Sequence, residues 1–280
     1  MDEALLASEP AIRLGVFLGL FAALALWEAV APRRRRSHGR GLRWPNNLGI
    51  VVVDTVALRI LFPTAAVGMA LLAEQRGWGL MNALAAPAWI AVPVSVLLLD
   101  LAIYLQHVAF HAVPVLWRLH RMHHADLDID VTTGLRFHPI EIVLSMGIKL
   151  AVVAALGAPA LAVLVFEMLL NATSMFNHAN LRLPPTMDRA LRWILVTPDM
   201  HRVHHSVVVA ETNSNYGFSL PWWDRLFGTY RDQPTAGHDG MTIGIERFRT
   251  ARDLWLDRML LQPFRGDEDT RPADAQEVRR

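Results

Sequence analysis

Four long apolar segments divide this chain, at residues 11–31, 48–72, 91–110 and 142–176. About 20 apolar residues in helical conformation cross a bilayer, and a helix satisfies its own backbone polar groups where no water can. The expected fold is therefore an all-α integral membrane helical bundle. Composition agrees: 53% of the residues are hydrophobic, 19% are charged and the mean hydropathy is +0.27, more apolar than an ordinary soluble domain. The first segment ends at Arg33, Arg34, Arg35 and Arg36. A basic run beside a span marks the cytoplasmic side, which puts Asp2, Glu3 and Glu9 on the far side. Because that run follows the apolar stretch, a secretory signal is not expected. The second segment leads outward to a loop with Trp78 and Trp89 at interface depth, and the third returns and stops before Pro114. Gly157, Ala158 and Pro159 interrupt the fourth. Its halves, of about fourteen to seventeen residues, are short for full spans, so a helical hairpin over 141–176 is expected to dip into the membrane and return. The bundle then has four spans, or three and a re-entrant hairpin.

Eight of the twelve histidines fall in three clusters: His107 and His111 as HxxxH, then His120, His123 and His124, and His201, His204 and His205, each as HxxHH. Residues three and four apart share a helix face, so each cluster turns its imidazoles towards one point. That arrangement binds metal, since neutral imidazole is the commonest side-chain ligand and core packing does not call for adjacent histidines. The topology places all three clusters on the cytoplasmic face. His178 joins them from the stripe Glu167, Asn171, Ser174, His178, a polar face in an apolar segment that should look into the bundle.

Several classes fall away. The net charge of +1 gives no case for nucleic-acid binding, and the arginine run reads as a topology signal or an anionic-lipid contact. With no cysteine, disulfides and thiolate-held zinc or iron–sulfur sites are excluded. Glycine-rich nucleotide loops, an HExxH protease motif and the paired Glu-x-x-His motifs of carboxylate-bridged sites are absent. A membrane zinc hydrolase or a metal-binding transport protein stays as the alternative, although a transporter would hold its ligands at mid-membrane.

The clusters, with TGLRFHPIE at 133–141, NHAN at 177–180 and NYGFSLPWWDRLFGTY at 215–230, resemble the fatty acid hydroxylase and sterol desaturase superfamily of integral-membrane, histidine-rich, non-haem di-iron enzymes. The resemblance covers about 99–230, close to half the chain. It implies two iron ions, with zinc as an alternative occupant on purification, that activate O2 to hydroxylate or desaturate a C–H bond of a lipid. It implies a sterol, fatty acyl, ether-lipid, carotenoid or hopanoid substrate, and an external electron donor, a ferredoxin or cytochrome b5-like protein with its reductase. The ligands it implies are His107, His111, His120, His123, His124, His178, His201, His204 and His205. Some relatives have a further histidine where Ser174 stands here.

Other residues are candidates by residue type. His138, before Pro139, is read as a catalytic candidate: a tenth ligand, a partner of a ligand, or a hydrogen-bonded loop residue. Asp199, two residues before His201, could accept the second N–H of a ligating imidazole. Asp100, inside the third span, is either functional or paired with a group such as Arg59. Asp126, Asp128, Asp130, His38 and His238 are read as solvated. The aromatic run 221–230 is an interfacial lid or an anchor. The expected organisation is 1–97 for the N-terminal spans and arginine-rich loop, 98–250 for the catalytic region, and 251–280 for a polar, partly disordered tail. An alanine- and arginine-rich, cysteine-free composition points to a bacterial cytoplasmic membrane; oligomeric state is left open.

Overall fold

In the computed structural model, which describes residues 3–266, regular structure is helical and strands are absent among the described residues, with two isolated bridges only. The helices are α1 (Glu3–Val30), α2 (Arg40–Leu61), α3 (Ala65–Arg76), α4 (Leu80–Ala83), α5 (Ala88–Ala112), α6 (Pro114–His124), α7 (Pro139–Leu156) and α8 (Ala160–His178). Short helices follow: α9 (Pro185–Leu191), α10 (Pro198–His204), α11 (Val209–Thr212), α12 (Trp222–Leu226), α13 (Gly237–Gly240) and α14 (Leu256–Leu261). Among the described residues, five segments are long and apolar enough to cross a membrane: α1 from Ser8, α2 through α4, α5, α7 and α8. This is an all-α membrane-type bundle.

Prolines and glycines set the breaks. The segment expected as one span at 48–72 divides at Pro63, which lacks an N–H and disfavours helix at the residue before it, so α2 stops at Leu61 and α3 starts afresh. The two halves of the hairpin run to 18 and 19 residues, roughly 27 to 29 Å at 1.5 Å per residue. They exceed the apolar stretch because α7 includes Glu141 and α8 includes Asn177 and His178. Gly157 ends α7 at φ +60, and a Cβ there would lie 2.4 Å from the Trp78 carbonyl. Only glycine allows the α3–α4 and α7–α8 turns to meet this closely.

α8 packs against α1, α3, α5 and α10, while α7 packs against α2, α3 and α5. Where they meet, small residues such as Ala66, Ala70 and Ala160 sit beside Leu99, Ile103, Val163 and Phe166, all buried. Lipid tails are as apolar as these side chains, so the close fit and its dispersion contacts hold the helices together rather than a hydrophobic drive.

The non-membrane cap is polar inside. Arg43 of α2 makes a fork to Asp126, Nε to Oδ1 at 2.8 Å and Nη2 to Oδ2 at 2.7 Å, and also pairs with Asp130. Thr133 donates to the same Asp126 oxygen at 2.9 Å. Asp126 and Asp130 are thus fully buried rather than solvated, whereas Asp128 caps the backbone of Ser37 and His38. His38 is half-buried. The segment after 250, expected as tail, begins as a packed piece: Met259 is buried with Ile50 and Met122, and Arg118 donates to the Pro263 carbonyl at 2.8 Å. Residues 267–280, where disorder was expected, lie outside the described residues.

Candidate metal centre

The centre is built where α5, α6, α8 and α10 converge. Val113 takes an extended conformation before Pro114, which closes α5 and opens α6 as its first residue. That turn folds the HxxxH end of α5 back over the first HxxHH. α8 delivers His178 in its last turn, and α10, capped by Thr197 and opened by Pro198, presents the second HxxHH.

All nine histidines meet in two groups. His107, His111, His120, His124 and His204 form one, and His123, His178, His201 and His205 the other, each with its candidate ligand atoms within 4.8 Å of one another. Each HxxHH motif is divided between the groups, so the same two short helices serve both.

Hydrogen bonds determine which nitrogen is bare. The Nδ1–H of His107 donates to the Tyr216 carbonyl, that of His204 to Ser214 and that of His178 to Ser174, each at 2.7 Å. The opposite Nε2 atoms then carry lone pairs. Nε2 of His107 lies 3.0 Å from that of His204 and 3.1 Å from that of His120, and Nε2 of His178 lies 3.1 Å from those of His123 and His201. Bare lone pairs held face to face repel, and a shared cation relieves the repulsion. Nε2 of His111, Nε2 of His205 and both ring nitrogens of His124 are also buried without a hydrogen-bond partner. Such atoms are rare in a folded interior unless something else satisfies them. The residues therefore fit metal ions.

Electrostatics favours the ligating form. Burial, reinforced by crowding of imidazoles, holds His123, His124, His201, His204 and His205 well below the usual value near 6.5, and burial takes His120 to about 3. All six are neutral at physiological pH. Among the described residues Glu141, in the first turn of α7 and buried, touches the set, accepting from Nδ1–H of His120 at 2.7 Å. Glu141 is absent from the residues expected above. Its signal was an acid at the head of an apolar helix, directly after the histidine-bearing RFHPI.

His138 and Asp199 stand elsewhere. His138 caps α7, its Nδ1 accepting from Ile140 N and its Nε2 donating to the Leu260 carbonyl, each at 3.2 Å, and it belongs to neither histidine group. Asp199 pairs with Arg202 and, at 3.3 Å, with Arg33, because α10 turns its side chain away from the imidazoles. His238 is buried 3.6 Å from Asp199 rather than solvated. Asp100 accepts from Nε1 of Trp223 at 2.8 Å instead of pairing with Arg59, and this ties α12 to the membrane helix α5. Asp224, in α12, gathers the N–H groups of Tyr216 and Gly217 at 2.8 and 2.9 Å, fixing the loop whose carbonyls orient His107 and His204. Phe137 stacks on His123 at 4.4 Å, and Phe218 lies 5.0 Å from His107 and 6.2 Å from His201. Both pack on the apolar core, so aromatic rings stand between these imidazoles and that core.

Fold and centre together define a multi-pass membrane protein with a histidine-rich metal site. Residues 92–229 match the fatty acid hydroxylase family, and the chain belongs to that superfamily. It is 31% identical over 148 residues to ornithine lipid hydroxylase OlsE of Rhizobium tropici, covering 53% of this chain and 44% of that protein. It is 32% identical over 149 residues to alkylglycerol monooxygenase of Xenopus tropicalis (53% and 32%), and 30% over 160 residues to fatty acid hydroxylase vlmA of a Lecanicillium species (52% and 44%). The chain spans less than half the length of each of these relatives. No solved structure matches it.

Proposed function

We propose that this chain is a membrane-bound, O2-dependent dimetal oxygenase that hydroxylates, or desaturates, a C–H bond of a lipid. The observation that carries the reading is the division of nine imidazoles, all but His111 buried, into groups of five and four. Two irons are the proposed occupants. Imidazole donors suit iron among other metals, and the names of the relatives, a monooxygenase and two hydroxylases, support iron for this chain. Bound iron would supply O2 activation and C–H oxidation.

The protein's own part is positioning. Backbone carbonyls of Tyr216, Ser214 and Ser174 hold three rings in one tautomer, and Glu141 holds His120 by accepting its Nδ1–H. Such outer contacts raise ligand basicity and hold ring orientation. Phe137 and Phe218 form a dry wall towards the bilayer, suited to an alkyl chain and to the exclusion of water. Hydroxylation delivers one oxygen atom to the lipid and the other to water, consuming two electrons and two protons. An external ferredoxin or cytochrome b5-like protein and its reductase are the proposed source. The metal centre is proposed to face the cytoplasm, on the side of Arg33 to Arg36.

The names of the relatives point to substrates with a polar headgroup, ornithine lipid and alkylglycerol among them. Metal analysis tests the reading. The purified protein should carry about two irons, as two-metal centres do. His204→Ala, in the five-member group, and His123→Ala, in the four-member group, should each lose about one of the two, and mass spectrometry should find 18O from 18O2 in a lipid product of the parent protein only. Stoichiometric zinc that iron cannot replace, with no 18O incorporation, overturns the proposal.

A further inference from the structure

A cleft of about 830 Å³ opens beside α9, the chain after α1, and α12. None of the nine histidines lines it, and its charges do not balance. Asp188 and Asp232 pair with Arg192 at 2.7 and 2.8 Å. Asp239 pairs with Arg33 at 2.7 Å, and Asp199 with Arg33 and Arg202. Every carboxylate lining the cleft is thereby held by Arg33, Arg192 or Arg202. Arg182, Arg189 and Arg225 also line it, and none of them has a carboxylate partner among the described residues. Arg225 instead donates from Nη2 to the Arg192 carbonyl at 3.0 Å and stacks over the rings of Trp193 and Tyr230, at 4.3 and 4.1 Å, while its Nε is buried without a partner. Guanidinium groups without a carboxylate partner match the oxygens of a phosphate.

The cleft adjoins an apolar rim. Trp193, Ile194, Leu226 and Phe227 are 62%, 59%, 69% and 51% exposed, and Trp222 Nε1 donates to the Trp193 carbonyl at 2.6 Å. The rim continues onto a membrane helix, because Phe227 stacks on Tyr104 of α5 at 5.4 Å and Trp223 is bound to Asp100. Exposed tryptophan beside arginine, continuous with a span, is the composition of a headgroup-level surface.

We propose that this cleft binds the anionic phosphate headgroup of a membrane lipid, with Arg182, Arg189 and Arg225 on the phosphate and the Trp193–Leu226 rim against its acyl chains. The assignment is independent of the metal centre and its chemistry. The probes are phosphatidylglycerol, phosphatidylcholine and sn-glycerol 3-phosphate, titrated against the full chain in neutral detergent and followed by tryptophan fluorescence and native mass spectrometry. Phosphatidylglycerol should bind saturably and more weakly as salt rises. The Arg189→Gln/Arg225→Gln variant should bind it about 10-fold more weakly, with unchanged metal content, while Arg252→Gln, at an exposed arginine elsewhere, should bind as the parent does. If the double variant fails to fold, Arg189→Gln alone, on the exposed face of α9, should show a loss of several-fold. Phosphatidylcholine competing equally, glycerol phosphate binding as tightly as the lipid, or a folded variant with parental affinity overturns the proposal.

Discussion

Acid should dismantle the metal-free cap of this protein within a narrow pH interval. Six histidines outside the membrane helices, His120, His123, His124, His201, His204 and His205, titrate far below 6.5 when folded, because burial penalises the imidazolium and neighbouring rings add repulsion. Once unfolded they return to about 6.5. Lowered folded values mean that the unfolded chain binds more protons below pH 6.5. Stability present above that pH is therefore lost as pH falls towards the folded values, about 3 for His120. Between pH 7 and pH 5 each such histidine contributes a loss of about 1.9 kcal/mol. Six together amount to on the order of 10 kcal/mol, comparable to the whole stability of an ordinary domain, about 5–15 kcal/mol. The assay is urea unfolding of chelator-stripped protein in neutral detergent from pH 7 to 5, followed by tryptophan fluorescence. The cap should lose its cooperative transition before pH 5, and His204→Gln should reduce the slope by about 1.4 kcal/mol per pH unit. A transition that stays level from pH 7 to 5 would refute the reasoning, since the imidazoles could then accept protons without unfolding.

Three further substitutions probe the supports of the centre. Glu141→Ala removes the acceptor that holds His120, and metal affinity measured by chelator competition should fall about 10- to 100-fold. Arg43→Met leaves Asp130 buried without its cation and Asp126 with Arg136 alone, 3.8 Å away, and should cost about 3–5 kcal/mol in thermal or urea unfolding. Gly134→Ala places a Cβ 2.5 Å from the Ser174 carbonyl and 3.1 Å from Nδ1 of His178. Overpacking of that kind costs about 1–3 kcal/mol, and metal analysis should show loss confined to the position held by His123, His178, His201 and His205.

The parts that could be read along the chain are those whose physics is local. Twenty-residue apolar runs define membrane helices whatever surrounds them, and Pro114 and Gly157 mark where those helices must stop or turn. The spacing of HxxxH and HxxHH puts imidazoles on one helix face by helical geometry alone. His178 was visible because a polar stripe in an apolar helix demands a polar neighbour. Asp126 and Asp130 looked like solvated loop residues because the guanidinium that buries them lies more than 80 positions earlier, at Arg43.

By itself the sequence determined the class of fold and the inventory of the centre: helices long enough for a bilayer, no cysteine, and nine imidazoles at helical spacings. Only the tertiary structure decided how that inventory is shared. Each HxxHH is split between two groups, Glu141 rather than Asp199 stands behind a ring, and His138 caps a helix outside the centre. The reason is geometric. Periodicity sets the face from which a side chain leaves its own helix, but its partner depends on where other helices cross, and here those crossings are set by contacts between residues far apart in the chain.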